Sequence, residues 1–180
     1  MREKISSGHI RAMALCAIFA AMSAAVSPWT VPIGPVPVGF THISVFLSAG
    51  ILGAKKAAVS QAVFVAVGVA GAPVFSGFEG GVGKIVGLTG GFVAGYVLAA
   101  FIAGFITERL GYSYPALFLG MYAGWAGTYA VGLAWFMFVS KSGFLTAFAL
   151  CAAPFIIPDA VKTVICAVLI RRIKTLKIIG

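Results

Sequence analysis

Six stretches of the chain, residues 10–26, 43–53, 57–72, 85–107, 115–139 and 144–170, are almost wholly apolar, and most of them are too long to be surface elements of a water-soluble domain. In lipid there is no solvent to hydrogen-bond an open backbone, so a spanning apolar run must satisfy its own amides, which a helix does. About 20 residues cross the ~30 Å hydrocarbon layer. The run at 43–53 is too short to cross upright and reads as a short helix closing one side of the domain. With 61% hydrophobic and 9% charged residues and a mean hydropathy of +1.08, no polar stretch remains from which a separate soluble unit could fold. The expected architecture is therefore an all-α integral membrane protein with six transmembrane helices, forming a single membrane domain over residues 1–180.

Charge sets the orientation. Arg2, Lys4, Arg11, Lys55, Lys56, Arg109, Arg171, Arg172, Lys174 and Lys177 fall on one side of the alternating segments, and only Lys84 and Lys141 on the other. By the positive-inside rule both termini are cytoplasmic, and residues 27–42, 73–84 and 140–143 face outward. The formal net charge of +9 is thus a topological signal and not a nucleic-acid surface. Cys16, Cys151 and Cys166 lie in apolar segments without CxxC spacing and read as small buried hydrophobes, neither metal ligands nor disulfide partners. The basic start is similar to a signal-peptide n-region, but no cleavage site precedes a soluble mature protein, so the first segment is expected to be retained.

The outward loops are unusual. Ser27-Pro-Trp-Thr-Val-Pro-Ile-Gly-Pro-Val-Pro-Val-Gly39 holds four prolines, which favours a stiff extended path. Gly71-Ala-Pro-Val-Phe-Ser-Gly-Phe-Glu-Gly-Gly-Val-Gly83 and Gly87-Leu-Thr-Gly-Gly-Phe-Val-Ala-Gly-Tyr96 are rich in glycine, which permits close backbone approach and reads as a lid or binding loop. Gly83-Lys84 is followed by Ile85 where a phosphate loop needs Ser or Thr, so nucleotide binding is rejected. Gly95, Gly120, Gly124 and Gly127 fit close helix packing. On the first helix, Cys16, Ala20, Ala24 and Ala17, Ala21, Ala25 form two adjacent rows of small residues, suited either to packing within the domain or to docking on another membrane subunit.

The last segment contains Pro154-Phe-Ile-Ile-Pro-Asp-Ala-Val-Lys162. A charge at mid-membrane costs roughly 2.5–3.5 kcal/mol on insertion scales, and such residues are usually paired, turned toward a cavity and functional. Asp159 and Lys162 share one helical face by their i,i+3 spacing. Nine residues separate Lys162 from Arg171, roughly 13 Å of helix, which sets the pair toward the outer loops. Pro154 and Pro158 are expected to bend the helix around a pocket. A packing device is the competing account, weakened because desolvation offsets most of the attraction in a bare buried ion pair. His42 reads as a satisfied interfacial histidine and not a proton carrier. Four acidic residues and two histidines supply no HExxH and no Ser/His/Asp set, so the chain is not expected to be an enzyme, nor to hold a metal or cofactor. A small-molecule site walled by Phe75, Phe78, Phe92, Tyr96, Tyr129, Trp135 and Phe155 fits better.

Taken in order and spacing, Ile33-Gly-Pro-Val-Pro-Val38, the 71–81 loop, Leu88-Thr-Gly-Gly-Phe-Val-Ala-Gly-Tyr96 and the 154–162 motif resemble the BioY family, the biotin-specific S components of energy-coupling factor (ECF) transporters. The resemblance extends from the first helix to residue 170. It implies a six-helix S-component fold in a prokaryotic plasma membrane that captures biotin from outside. It further implies a membrane T subunit and two cytoplasmic ATPases as partners. It implies that Asp159 and Lys162 contact biotin, with Phe92, Tyr96, Gly80, Gly81, Phe75, Glu79 and Trp135 as further binding residues. It also implies that Ala17, Ala20, Ala21 and Ala24 form the docking face. Where the family pattern reads Gly-Pro-Thr-Gly-Gly-Tyr, this chain reads Gly87-Leu-Thr-Gly-Gly-Phe92, and Ile157-Pro158 replaces Pro-Gly before the acid. Alternatives are an S component for another small vitamin-like molecule, or a structural membrane scaffold.

Overall fold

The computed structural model describes residues 7–32 and 35–176; Arg2, Lys4 and Lys177 of the charge count, and Ile33 and Gly34 of the proline-rich motif, lie outside the described residues. In chain order the elements are α1 (Ser7–Val26), β1 (Thr30–Val31), β2 (Val38–Gly39), α2 (Thr41–Leu52), α3 (Ala54–Val69), α4 (Val82–Val86), α5 (Gly90–Leu110), α6 (Tyr114–Ser140), α7 (Phe144–Cys151), a 3-10 turn (Ala153–Phe155) and α8 (Ile156–Thr175). β1 and β2 pair antiparallel, with Thr30 opposite Gly39 and Val31 opposite Val38. Among the described residues, four helical stretches are long and apolar enough to cross a membrane: Gly8–Val26, Gly90–Leu110, Tyr114–Ser140 and Phe144–Thr175.

Local chemistry accounts for the boundaries. Gly53, at φ +82°, lets α2 turn straight into α3, and Gly111, at φ +84°, ends α5. Ser113 caps α6 by accepting the Ala116 amide at 3.4 Å, with Pro115 in the first turn where its missing N–H costs nothing. Two of the expected segments are interrupted. The run 85–107 contains a break at residues 87–89, after which the chain folds back so tightly that a Cβ on Gly90 would strike the Ile85 carbonyl. The run 144–170 divides into α7, the 3-10 turn and α8. Pro154 has no N–H to bond the carbonyl four residues back and its ring crowds that carbonyl, which ends α7, and Pro158 is tolerated because it sits in the first turn of α8.

The stiffest contact is between α5 and α6. Gly91, Gly95, Ala99 and Ala103 recur every fourth residue on α5, and Gly120, Gly124, Thr128 and Gly132 do so on α6. The two rows run antiparallel against each other. A Cβ on Gly120 would sit 3.0 Å from the Ala103 carbonyl oxygen, one on Gly124 3.1 Å from that of Ala99, and one on Gly95 3.0 Å from the Thr128 Cα. Lipid gives no hydrophobic reason for helices to associate, so such close approach, with its dispersion contacts, holds the pair. Beside it lies a core of Val45, Phe46, Leu117, Met121, Trp125, Cys166 and Ile170.

Helix α2 is too short, at 12 residues and about 18 Å, to cross the ~30 Å layer. It is buried along most of its length and joined to its neighbours by polar contacts. Ser23 of α1 bonds Ser44 at 2.7 Å and donates to Gln61 of α3 at 3.0 Å, while Gln61 donates to Ser48 at 3.3 Å. On α1 the two small-residue rows separate. Ala20 is buried against Phe64, Phe75 and Val93, with Ala24 packed beside it, whereas Ala17 and Ala21 are exposed.

The two ends of the bundle differ. At one, Lys174 donates to the Ile51 carbonyl at 3.3 Å, Arg171 lies 4.2 Å over Tyr114 and Lys174 4.5 Å over Tyr112. At the other, the chain before α2 and the chain around α4 are joined. Thr30 bonds Ser76 at 3.1 Å, the Gly77 amide donates to the Pro28 carbonyl at 3.1 Å, and Trp29 meets Phe78 edge to face at 5.4 Å.

Candidate functional site: a charged pair in an aromatic cavity

Beneath those joined loops lies a small cavity of about 50 Å³, lined by Val36, Pro37 and Gly39 from the proline-rich loop, His42 from α2, Phe92 and Tyr96 from α5, Trp125, Thr128 and Tyr129 from α6, Cys151 from α7, Phe155 from the 3-10 turn, and Asp159 and Lys162 at the start of α8. Its lining, an aromatic wall around a few convergent polar groups, is that of a small-molecule site.

The helix break at 152–155 puts Asp159 in the first turn of α8, where the unsatisfied amides and the helix dipole favour a carboxylate. Asp159 and Lys162 are each only 5% exposed. The Lys162 ammonium donates to Asp159 Oδ1 at 3.0 Å, and the Tyr129 hydroxyl donates to Oδ2 at 2.5 Å. Both carboxylate oxygens are thus engaged by donors that a ligand can replace. The backbone around the pair is held as well: Thr163 donates to the Asp159 carbonyl at 2.8 Å and itself accepts from the Trp125 indole at 3.1 Å. Trp125 forms a platform, with Lys162 Nζ 5.7 Å from its ring centre and His42 stacked on it at 3.8 Å. His42 Nε2 is 3.4 Å from the Thr128 hydroxyl, and Tyr96 meets the imidazole edge to face at 4.9 Å. His42 is thus a buried, hydrogen-bonded member of the cavity wall.

Asp159, Lys162, Phe92 and Tyr96, with Tyr129 and Phe155 of the expected wall, come together in this cavity. Phe75 is buried against Phe64 and lines a neighbouring cavity. Glu79, Gly80 and Gly81 belong to the covering loop. The Gly81 amide donates to the Gly68 carbonyl at 2.7 Å, a Cβ on Gly80 would strike the Ala72 carbonyl, and Glu79 pairs with Lys84 at 3.0 Å. Phe78, at φ +60°, forms the tip of that loop. Trp135 lines a groove on the outer surface with Ala134 and Phe138, and its indole donates to the Gly87 carbonyl at 2.9 Å, fastening the α4–α5 junction. Trp125, His42 and Thr128 are cavity residues that the sequence reading did not assign. The four-residue spacing of small residues on α6 was the available signal, because it marks the inward face on which Trp125 and Thr128 stand.

The BioY family profile matches residues 1–178. The chain belongs to the BioY family. Among its BioY relatives, the biotin transporter BioY of Thermotoga maritima is 34% identical over 99% of both chains, and the probable biotin transporter BioY of Pyrococcus horikoshii is 34% identical over 90% of this chain and 95% of its own. The crystal structure of the S-component for biotin from an ECF-type ABC transporter superposes with a TM-score of 0.87 over 94% of each chain at 24% identity, which establishes a shared fold. BioY relatives from bacteria and archaea, together with the long apolar helices, make this a multi-pass protein of a prokaryotic membrane, and a transport-family member, not an enzyme.

Proposed function

We propose that the chain is the biotin-binding S component of an ECF-type importer, a single membrane domain with six membrane-embedded segments (α1, the short α2 that enters only part of the layer, α3, α5, α6 and the α7–α8 pair) and both termini in the cytoplasm. The gathering of Arg171 and Lys174 beside the end of α2, away from the loop-covered end, supports that orientation. The observation that carries the reading is the buried Asp159 carboxylate, shared between Lys162 and Tyr129 inside an aromatic cavity. The ureido group of biotin offers N–H donors and a carbonyl acceptor side by side. Asp159 accepts the N–H bonds, while Lys162 and Tyr129 are free to donate to the urea oxygen. Trp125, Phe92, Tyr96 and Phe155 cover the apolar bicycle, and Phe92 stands at the sequence position of the family's tyrosine. Gly80, Gly81 and Glu79 act through the covering loop, and Trp135 through the α4–α5 junction.

Energy comes from partners, a membrane T component and two ATPases. Ala17 and Ala21, exposed on α1, form the docking row, while Ala20 and Ala24 serve internal packing. Equilibrium binding of tritiated biotin to the purified protein tests the central reading. Saturable binding abolished by Asp159→Asn and by Lys162→Ala is expected; no saturable binding, or binding indifferent to both substitutions, refutes it. A scaffold would instead lose thermal stability in both variants and gain none from biotin.

A further inference from the structure

At the end of the bundle away from the covering loops, an open cavity of about 380 Å³ lies between the start of α6 and the last turns of α8, lined by Tyr114, Val168, Arg171, Arg172, Thr175 and Leu176. It shares no residue with the site above. Its two guanidiniums have no acid to match them. Of the described acids, Asp159 and Glu79 are paired with Lys162 and Lys84, and Glu108 lies against Gly53 at the α2–α3 turn. Lys174 is engaged within the chain, donating to the Ile51 carbonyl and lying over Tyr112. Arg171 is held in place, with its guanidinium 4.2 Å over the centre of the Tyr114 ring, an arrangement that fixes the plane and leaves its N–H edge open.

The positive-inside rule accounts for basic residues at this end, and the helix dipole favours cations in the last turn of α8. Neither accounts for a cavity shared with α6, nor for the apolar track that leads into it. On α8, Val161, Val164, Val168 and Arg172 recur at three- and four-residue spacing and are all exposed, so a single stripe begins apolar and ends cationic. The eleven residues from Val161 to Arg172 span about 16 Å of helix, close to half of the ~30 Å hydrocarbon layer. A soluble anion would use the cations alone, whereas a phosphate joined to an acyl chain one leaflet long uses the cations and the stripe together. We propose that this cavity holds the phosphate headgroup of an anionic phospholipid, with Arg171 and Arg172 on the phosphate oxygens, the Tyr114 hydroxyl beside them, and an acyl chain along Val168, Val164 and Val161. Guanidinium N–H groups meet phosphate oxygens two at a time, which an unpaired phosphodiester permits. A choline headgroup carries its own cation and competes with the arginines for the same oxygens. The site is independent of the biotin reading.

The test titrates the purified, delipidated full chain in detergent with phosphatidylglycerol and with phosphatidylcholine, both carrying dioleoyl chains, and counts bound lipid by native mass spectrometry. A preference of about tenfold or more for phosphatidylglycerol is expected in the unaltered protein, on the scale of two basic side chains at a membrane surface. Arg171→Met/Arg172→Met brings that ratio to about one. Arg171→Lys/Arg172→Lys keeps about threefold, because the charge survives and the paired donors do not. Arg11→Met/Lys55→Met removes as much charge from exposed positions at the same end and leaves the tenfold ratio in place. The ratio is taken within each variant, so a loss of folded protein lowers both lipids alike. Equal affinity for the two lipids in the unaltered protein, or a ratio unchanged in Arg171→Met/Arg172→Met, overturns the site. So does an equal fall in Arg11→Met/Lys55→Met, which would leave only the general charge of that end. Inorganic phosphate that displaces phosphatidylglycerol at equal concentration overturns the lipid assignment in favour of a free anion. An Arg171→Met/Arg172→Met protein that keeps its lipid preference but no longer co-purifies with the T component and ATPases overturns it in favour of a protein contact.

Discussion

Gly124→Ala is the sharpest probe of how the α5–α6 pair is built, because two effects of opposite sign meet at one methyl group. The added Cβ would lie 2.9 Å from the Phe46 ring, 3.1 Å from the Ala99 carbonyl oxygen and 3.5 Å from the Ala103 Cβ. Overpacking of a core costs roughly 1–3 kcal/mol, while replacing glycine by alanine inside a helix returns about 1 kcal/mol. The obstacle includes backbone of α5, and moving it away would forfeit the close contacts at Gly95 and Gly120, so the upper part of the overpacking range applies. The net loss is then about 1–2 kcal/mol, or a fall in Tm of roughly 2–8 °C for a chain of this size. Gly127→Ala, one turn along, is the control. Its Cβ would meet only the tip of Ile102 at 2.8 Å and the end of Leu98 at 3.5 Å. Those side-chain ends can swing, so the helix-propensity gain decides and Tm holds or rises. Thermal unfolding in detergent, followed by thiol-reactive fluorescence at the buried Cys151 and Cys166, measures both. A Gly124→Ala protein as stable as its parent, or a Gly127→Ala protein that loses more, refutes the argument that backbone contact holds these helices.

Tyr129→Phe keeps the aromatic wall but removes the hydroxyl that reaches Asp159 Oδ2, and is expected to weaken biotin binding by about tenfold in equilibrium titrations, on the scale of one hydrogen bond to a charged group. Biotin at ~100 times its dissociation constant adds about 2.7 kcal/mol, so Tm is expected to rise by roughly 5–10 °C in the parent and not in Asp159→Asn. Ala21→Trp, on the exposed row of α1, is expected to leave biotin binding intact and to weaken co-purification with the T component and ATPases. Ala20→Trp, buried against Phe64 and Phe75, instead lowers Tm whether or not partners are present.

Asp159 and Lys162 were legible in the sequence because charge stands out in an apolar chain, and their spacing alone set them on one face. The glycine-rich and proline-rich loops were legible as a cover for the same reason, since irregular chain is conspicuous between apolar runs. The aromatic residues were harder. Along α6 both the core face and the lipid face are apolar, so hydrophobic periodicity does not separate Trp125, which carries His42, from Trp135, which lies on the outside. The same blindness hid the two faces of α1, where alanine meets Phe64 on one side and is exposed on the other. The breaks at residues 87–89 and 152–155 left proline and glycine as signals, but how the chain turns there depends on tertiary contacts such as Gly90 against Ile85.

The antiparallel rows of small residues on α5 and α6 bear on what the cavity can recognise. Phe92 and Tyr96 project from one helix of that pair, Trp125 and Tyr129 from the other, so their backbones share a spacing that neither helix can adjust alone. The remaining walls come from residues 35–39, held by the short pairing of β1 with β2, and from α8 beyond its break, which packs through side chains such as Cys166 and Ile170. The site is therefore a mould with one hard face and one soft face. Analogues altered on the edge that lies against Phe92 and Trp125 should be refused outright, whereas alterations on the opposite edge should cost affinity only gradually.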